Sequence, residues 1–171
     1  MTEQTLTPIL TAVDCSVDKI LEEARSAHER YLIKQQEVDL EKAVECYIDV
    51  IKSNPSISEA YYRLASLLLI KGQISVEGAL EQCKTAVSLE PNNPNAHIYA
   101  GYFQCLNGNF EEAEEEFAKA ISGSGVNSAR PRLFLAKMIM EQIKNKEKNV
   151  GAMARYLAVI RTKGSYVKFK N

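Results

Sequence analysis

The chain is expected to be all-α, a stack of antiparallel helix hairpins, on three observations. A pattern repeats at the spacing of a helix pair, the apolar residues of each copy fall at helical intervals, and the composition leans to helix formers such as Ala, Glu, Lys and Leu. Of the 171 residues, 46% are apolar and 25% charged, with no Trp, 5 Pro and 8 Gly. Those values exclude wholesale disorder and a collagen-like chain. The length suits one compact domain or one short repeat array.

The repeat carries most of the argument. Residues 78–96 align under residues 41–60 so that Ala79 falls on Ala43, Cys83 on Tyr47, Ala86 on Val50 and Pro91 on Pro55, at an offset of 36 residues. Ala113, Phe117 and Ala120 continue the series at an offset of 34. Positions i, i+4 and i+7 form one stripe of an α-helix. A second helix is expected ahead of each copy, because Tyr61, Leu64, Ala65 and Leu68 share their spacing with His97, Ala100, Gly101 and Gln104. Gly72 and Gly108 close those first helices as left-handed caps. Pro55 and Pro91 stop the second helices and turn the chain into the next unit. Small residues at Ala65 and Gly101 predict close helix approach, with Gly101 where two helices come nearest.

These residues carry a resemblance to the tetratricopeptide repeat family. Residues 58–93 hold Tyr61, Leu64, Ala65, Leu68, Gly72, Ala79, Ala86 and Pro91 in the family's spacing, and residues 94–125 repeat most of it. Three departures stand out: a longer inner turn at 74–78, Gly125 in place of the terminal proline, and Gln104 where an apolar residue is usual. Upstream, Ala24, Ala27, His28 and Tyr31 pair with Ala43, Tyr47 and Val50 across a turn lengthened at 35–39. Downstream, Pro131 suits the first turn of a helix; Leu133, Ala136 and Met140, then Ala152, Tyr156 and Val159, complete a degenerate hairpin that caps the stack. The resemblance implies a right-handed superhelical solenoid of antiparallel helix hairpins, three repeats plus a degenerate capping hairpin. Its divisions are an N-terminal extension over 1–19, a repeat domain over 20–162 (20–57, 58–93, 94–125 and 126–162), and a basic tail over 163–171.

Chemistry is thinly provided for. The four cysteines, Cys15, Cys46, Cys83 and Cys105, lie 31, 37 and 22 residues apart, so no C-x-x-C pair exists and reduced core thiols are expected. His28 and His97 are the only imidazoles, on different repeats, and His97 holds a packing position. No H-E-x-x-H, G-x-x-x-x-G-K-[ST] or G-x-S-x-G motif occurs. The glycine-rich stretch at 122–125 reads as a helix end, and Glu111, Glu112, Glu114, Glu115 and Glu116 as a solvated helix start. The expectation is a non-enzyme with no cofactor and no metal. The first residues lack a basic and apolar leader, and no apolar run is long enough to cross a bilayer, so the cytoplasm is the expected address.

What remains is surface. In the family that the chain resembles, first helices line a concave groove, and the spacing points Arg25 and Glu29, then Tyr62, Arg63, Ser66 and Leu69, then Asn95, Ile98, Tyr99 and Tyr102, then Phe134 and Met138 toward it. Tyr and Arg supply large contact area at low entropy cost. The expected function is therefore a protein–protein interaction module that takes a peptide or helix of a partner, with apolar anchors between Tyr62, Ile98, Tyr99 and Tyr102 and orientation from Arg25, Arg63 and Asn95. The clamp by which some members of the family hold a C-terminal carboxylate is not carried over, since Glu29 and Tyr99 stand at its Asn positions.

A different function is suggested by charge. Residues 1–125 carry 10 Lys and Arg against 20 Asp and Glu, while residues 126–171 carry 11 against 2, a split of −10 and +9 inside a net charge of −1. Lys144, Lys146, Lys148, Arg155, Arg161, Lys163, Lys168 and Lys170, interleaved with Tyr156, Tyr166 and Phe169, could contact phosphates and stack on bases, or join copies of the chain. Nucleic acid is the less expected partner, and a homo-oligomer is compatible with the split.

Overall fold

A computed structural model describes residues 7–122 of the chain, with side chains from residue 16 onward. The expected capping hairpin over 126–162 and the tail over 163–171, with Phe134 and Met138, lie outside the described residues. Among the described residues six helices follow one another: α1 (Thr7–Lys34), α2 (Glu37–Ser53), α3 (Ser58–Ile70), α4 (Val76–Leu89), α5 (Pro94–Asn107) and α6 (Phe110–Ser122). No strand occurs among the described residues.

Local chemistry places the ends. Ser75 opens α4 by accepting the backbone N–H of Gly78 at 3.2 Å, and Asn93 opens α5 by accepting those of Asn95 and Ala96 at 2.9 and 3.4 Å, with Pro94 in the first turn. Such caps satisfy donors that the first helical turn leaves without partners. At the other end of α5, Gly108 adopts φ +87°, and the N–H groups of Gly108 and Asn109 reach the carbonyls of Cys105 and Gln104 at 3.1 and 2.9 Å. Gly72 does the same work after α3 at φ +66°. Both are the left-handed closures expected of them.

The two lengthened turns are resolved differently. α1 runs to Lys34 and α2 starts at Glu37, so only Gln35 and Gln36 connect them. Gln35 takes φ +55° and its side-chain amide donates to the carbonyls of Tyr31 and Leu32, which closes the helix without glycine and returns residues 37–39 to helix. The extra residues at 74–78 are likewise mostly helical, since α4 begins at Val76. Residue 20, the expected start of the repeats, falls inside α1, which already runs from Thr7.

Each helix packs on its neighbours in sequence, and α3 also meets α5 directly. The Arg25–Glu59 ion pair links α1 to α3 in the same way, so α1, α3 and α5 form one layer. The second helices carry the repeat stripe inward: Ala43, Tyr47 and Val50, then Ala79, Cys83 and Ala86, then Ala113, Phe117 and Ala120 are all buried. α3 divides its burial, with Ala60, Leu64 and Leu67 joining the α1–α2 core and Tyr62 and Ala65 joining the α4–α6 core. A helix that buries two faces against two hairpins is the unit of a solenoid, because no single hairpin can cover its own stripe.

Candidate functional site

The site is built where α1, α3 and α5 lie side by side. Arg25 of α1 donates from Nε to Glu59 Oε1 at 3.0 Å and from Nη2 to Glu59 Oε2 at 2.5 Å, a two-pronged pairing between helices. Its Nη1 also reaches Glu22 Oε2 at 3.3 Å. Hydrogen bonding to the Glu59 carboxylate, against a smaller opposing effect of burial, holds the Arg25 guanidinium above its ordinary value. Arg63 Nε stands 2.6 Å from the same Glu59 Oε1, off the line of its N–H, so this contact is an ion pair rather than an aligned hydrogen bond. The Arg63 guanidinium carbon lies 5.9 Å from the centroid of the Tyr62 ring, within cation–π range. One carboxylate therefore serves two arginines.

Beside this cluster runs a line of rings. Tyr62 and Tyr99 bring their centroids to 4.8 Å across α3 and α5, Tyr99 and Phe103 to 6.3 Å, and Phe103 and Tyr102 to 5.1 Å. These are favourable aromatic separations. Burial raises the Tyr62 and Tyr102 phenols well above their ordinary values, so both stay neutral donors at physiological pH. The Tyr102 hydroxyl is buried with no hydrogen-bond partner among the described residues.

The expected site residues thus meet, but not as an open lining. Tyr62, Ile98 and Tyr102 are each 2% exposed, and Arg63, Ser66 and Tyr99 are buried as well. Arg25 and Asn95 are half-buried. Ser66 turns its hydroxyl back onto the Arg63 carbonyl at 2.7 Å. The reason lies in α5, where every residue from Ala96 to Phe103 is buried, as befits a helix apolar all round. The rings form a floor and Arg25 and Asn95 stand where solvent reaches.

Two functional-looking carboxylates escape sequence reasoning. Glu59 is the hub of the arginine cluster, and Glu116, expected on a solvated face, is half-buried against His97, whose Nδ1 lies 2.7 Å from Glu116 Oε2. Glu111, Glu112, Glu114 and Glu115 are exposed as expected. Pairs 34 and 19 residues apart leave no mark at i, i+3 or i+4 spacing. The one available signal is that a buried histidine demands an acceptor. Cys46, Cys83 and Cys105 are buried thiols in no disulfide among the described residues, and burial pushes the Cys83 thiol far up, which makes it unreactive. Among the described residues no group of three or more His, Cys, Asp or Glu side chains is placed to hold a metal, and no helix is long and apolar enough to cross a membrane.

Comparison with known proteins agrees with this architecture. Residues 83–115, from within α4 to within α6, match the family model described as tetratricopeptide repeat. The fold is similar to that of the Yersinia enterocolitica type III secretion translocator chaperone SycD in an alternative dimer, with a TM-score of 0.58 and 16% identity over 77% of this chain and 96% of that one. It is also similar to the TPR2B domain of yeast Sti1 in complex with pHsp70, with a TM-score of 0.56 and 25% identity over 75% of this chain and 98% of that domain.

Proposed function

From an all-α tetratricopeptide-repeat fold, we propose that the chain is a non-catalytic protein-interaction module whose binding face runs across α1, α3 and α5. The observation that carries this reading is the continuous run from Arg25 through Glu59 and Arg63 to Tyr62 and Tyr99, assembled from three successive first helices. A peptide or helix of a partner lies along that layer. Arg25 and Asn95 supply polar contacts at the accessible rim, and the buried Tyr62–Tyr99 pair beneath them holds α3 and α5 together as a rigid support. The similarity to a translocator chaperone and to a domain in complex with pHsp70 supports a polypeptide partner.

The test compares the parent with a variant carrying Arg25→Ala and Asn95→Ala as bait in extracts of the native source. Both positions are half-buried, so the fold tolerates the change better than it would a cut into the rings. A polypeptide held by the parent and lost by the folded variant is the expected result. Retention by both, or capture of nucleic acid that weakens steeply with salt, would move the function away from this face.

A further inference from the structure

Arg25 and Arg63 both reach for Glu59, but on unequal terms. Arg25 takes both Glu59 oxygens with Nε and Nη2, and its Nη1 has Glu22 as well. Arg63 has the off-line contact of its Nε with Glu59 Oε1 as its one ion pair among the described residues. That Nε is shut off from solvent and has no hydrogen-bond partner there, and the residue as a whole is 8% exposed. A buried cation is costly unless it is paired and hydrogen-bonded. The other ionisable groups bearing on it, Tyr47, Tyr62 and Tyr99, are phenols rather than carboxylates, and the Tyr62 ring offers it only a face. The layer of α1, α3 and α5 thus holds a guanidinium short of an acceptor.

We infer, on the reading of this face as a polypeptide site, that Arg63 is its anchor and takes the carboxylate of an aspartate or glutamate side chain from within the partner's segment. With Nε set against Glu59, the Nη1 and Nη2 pair is left, a planar fork that fits two carboxylate oxygens. Arg25 keeps Glu59 in place, so the incoming carboxylate adds a partner and displaces none. Arg63 sits on α3, the middle helix of the layer, between Arg25 on α1 and Asn95 on α5. A segment crossing from α1 to α5 meets Arg63 along its length and not at its end, which favours a side chain over a terminal carboxylate. The chain's own region over 126–171, with 11 basic and 2 acidic residues, has the wrong charge for this position.

The experiment selects random peptides on the full chain from two display libraries, one fused at both ends so that no free C-terminus is offered and one with free C-termini. The closed library should yield sequences with Asp or Glu at one internal position. In a synthetic peptide capped at both ends, changing that residue to Asn or Gln should weaken binding about tenfold, the scale of one charge-assisted pair. Arg63→Met, an unbranched side chain without the charge, should bind the acidic and amide peptides alike, with its helix content compared with the parent's first. If that variant does not fold, Arg63→Lys keeps the charge without the planar fork and should shrink the difference. Selection with no acidic preference, or a preference that a folded Arg63 variant keeps in full, overturns the anchor and leaves the face standing. Selection of free C-termini alone overturns the internal side chain as the source. No selection from either library removes the face and the anchor with it.

Discussion

At the scale of single residues, the most constrained position is Gly101. A Cβ there would meet the Phe117 ring carbons at 2.7 to 3.0 Å, and that ring is itself buried. Gly101→Ala should gain about 1 kcal/mol in helix propensity and lose about 1–3 kcal/mol to overpacking, for a net loss; Gly101→Leu should lose more. Urea unfolding midpoints check both, and a parent-like Leu variant would show that α5 and α6 are not in contact at this point. This contact was legible, because a glycine at a repeat position where Ala65 stands in the preceding unit signals close approach. The burial of the tyrosines was not. A face that lines a concave surface and a face packed in a core present the same apolar spacing, and the one sign within α5 that favours packing is that the helix is apolar all round. The consequence is practical. Replacing Tyr62 and Tyr99 by Ala, a natural test of an open groove, would cut into the core at about 3–5 kcal/mol each. Tyr102→Phe is the gentler probe. Its hydroxyl is buried without a partner among the described residues, so removing it should leave stability unchanged or raise it by about 1 kcal/mol. If the hydroxyl serves a bound backbone, partner affinity should fall in the same variant, as titration against the captured partner would show.

At the scale of elements, helix ends were legible where glycine or proline marks them and illegible where a side chain does the work. Gly72, Gly108, Pro55 and Pro91 stand at the expected ends, whereas Gln35 closes α1 through its own amide, a geometry with no compositional signal. The Asn93 cap is worth about 1 kcal/mol, so Asn93→Ala should lower the unfolding free energy by that much, as urea melts would show. The α5–α6 hairpin adds a dependence on acid. Burial alone would raise the Glu116 carboxyl, but hydrogen bonds from His97 and Lys119 outweigh it and hold the group below its usual value. A carboxyl depressed in the folded chain stabilises it above the ordinary carboxylate range, and that contribution disappears as pH falls through the folded value. Glu116→Gln should therefore be less stable than the parent near neutral pH, with the gap closing toward acid. Denaturant melts across that range read it directly, and a gap that stays constant would show that ionisation of Glu116 contributes nothing.

At the scale of the molecule, the hairpin stack was legible because each unit must spend its stripe on the next one. An offset of 36 then 34 residues is enough to order the helices even where turns differ. Charge acts over longer distances than packing and gives the last prediction. Residues 1–125 carry −10 and residues 126–171 carry +9, so each part finds its complement in the same chain or in a second copy. Attraction between them should be strong at low ionic strength and fade as salt shortens the screening length from about 30 Å at 0.01 M to about 3 Å at 1 M. Val167 and Phe169 alternate with Tyr166 and Lys168, so an extended segment could present apolar side chains on one side while an amine reaches carboxylates on the other. Deleting residues 163–171 removes three of the eleven basic residues beyond 125, Lys163, Lys168 and Lys170, together with those side chains. Sedimentation and partner binding of the full and shortened chains, each at low and high salt, separate the two arrangements. A lower mass for the shortened chain at low salt means that the segment bridges copies, and tighter partner binding without a change in mass means that it competes for the face across α1, α3 and α5. Equal mass and equal affinity at low salt would mean that the complementarity of the two halves is spent on solvation alone.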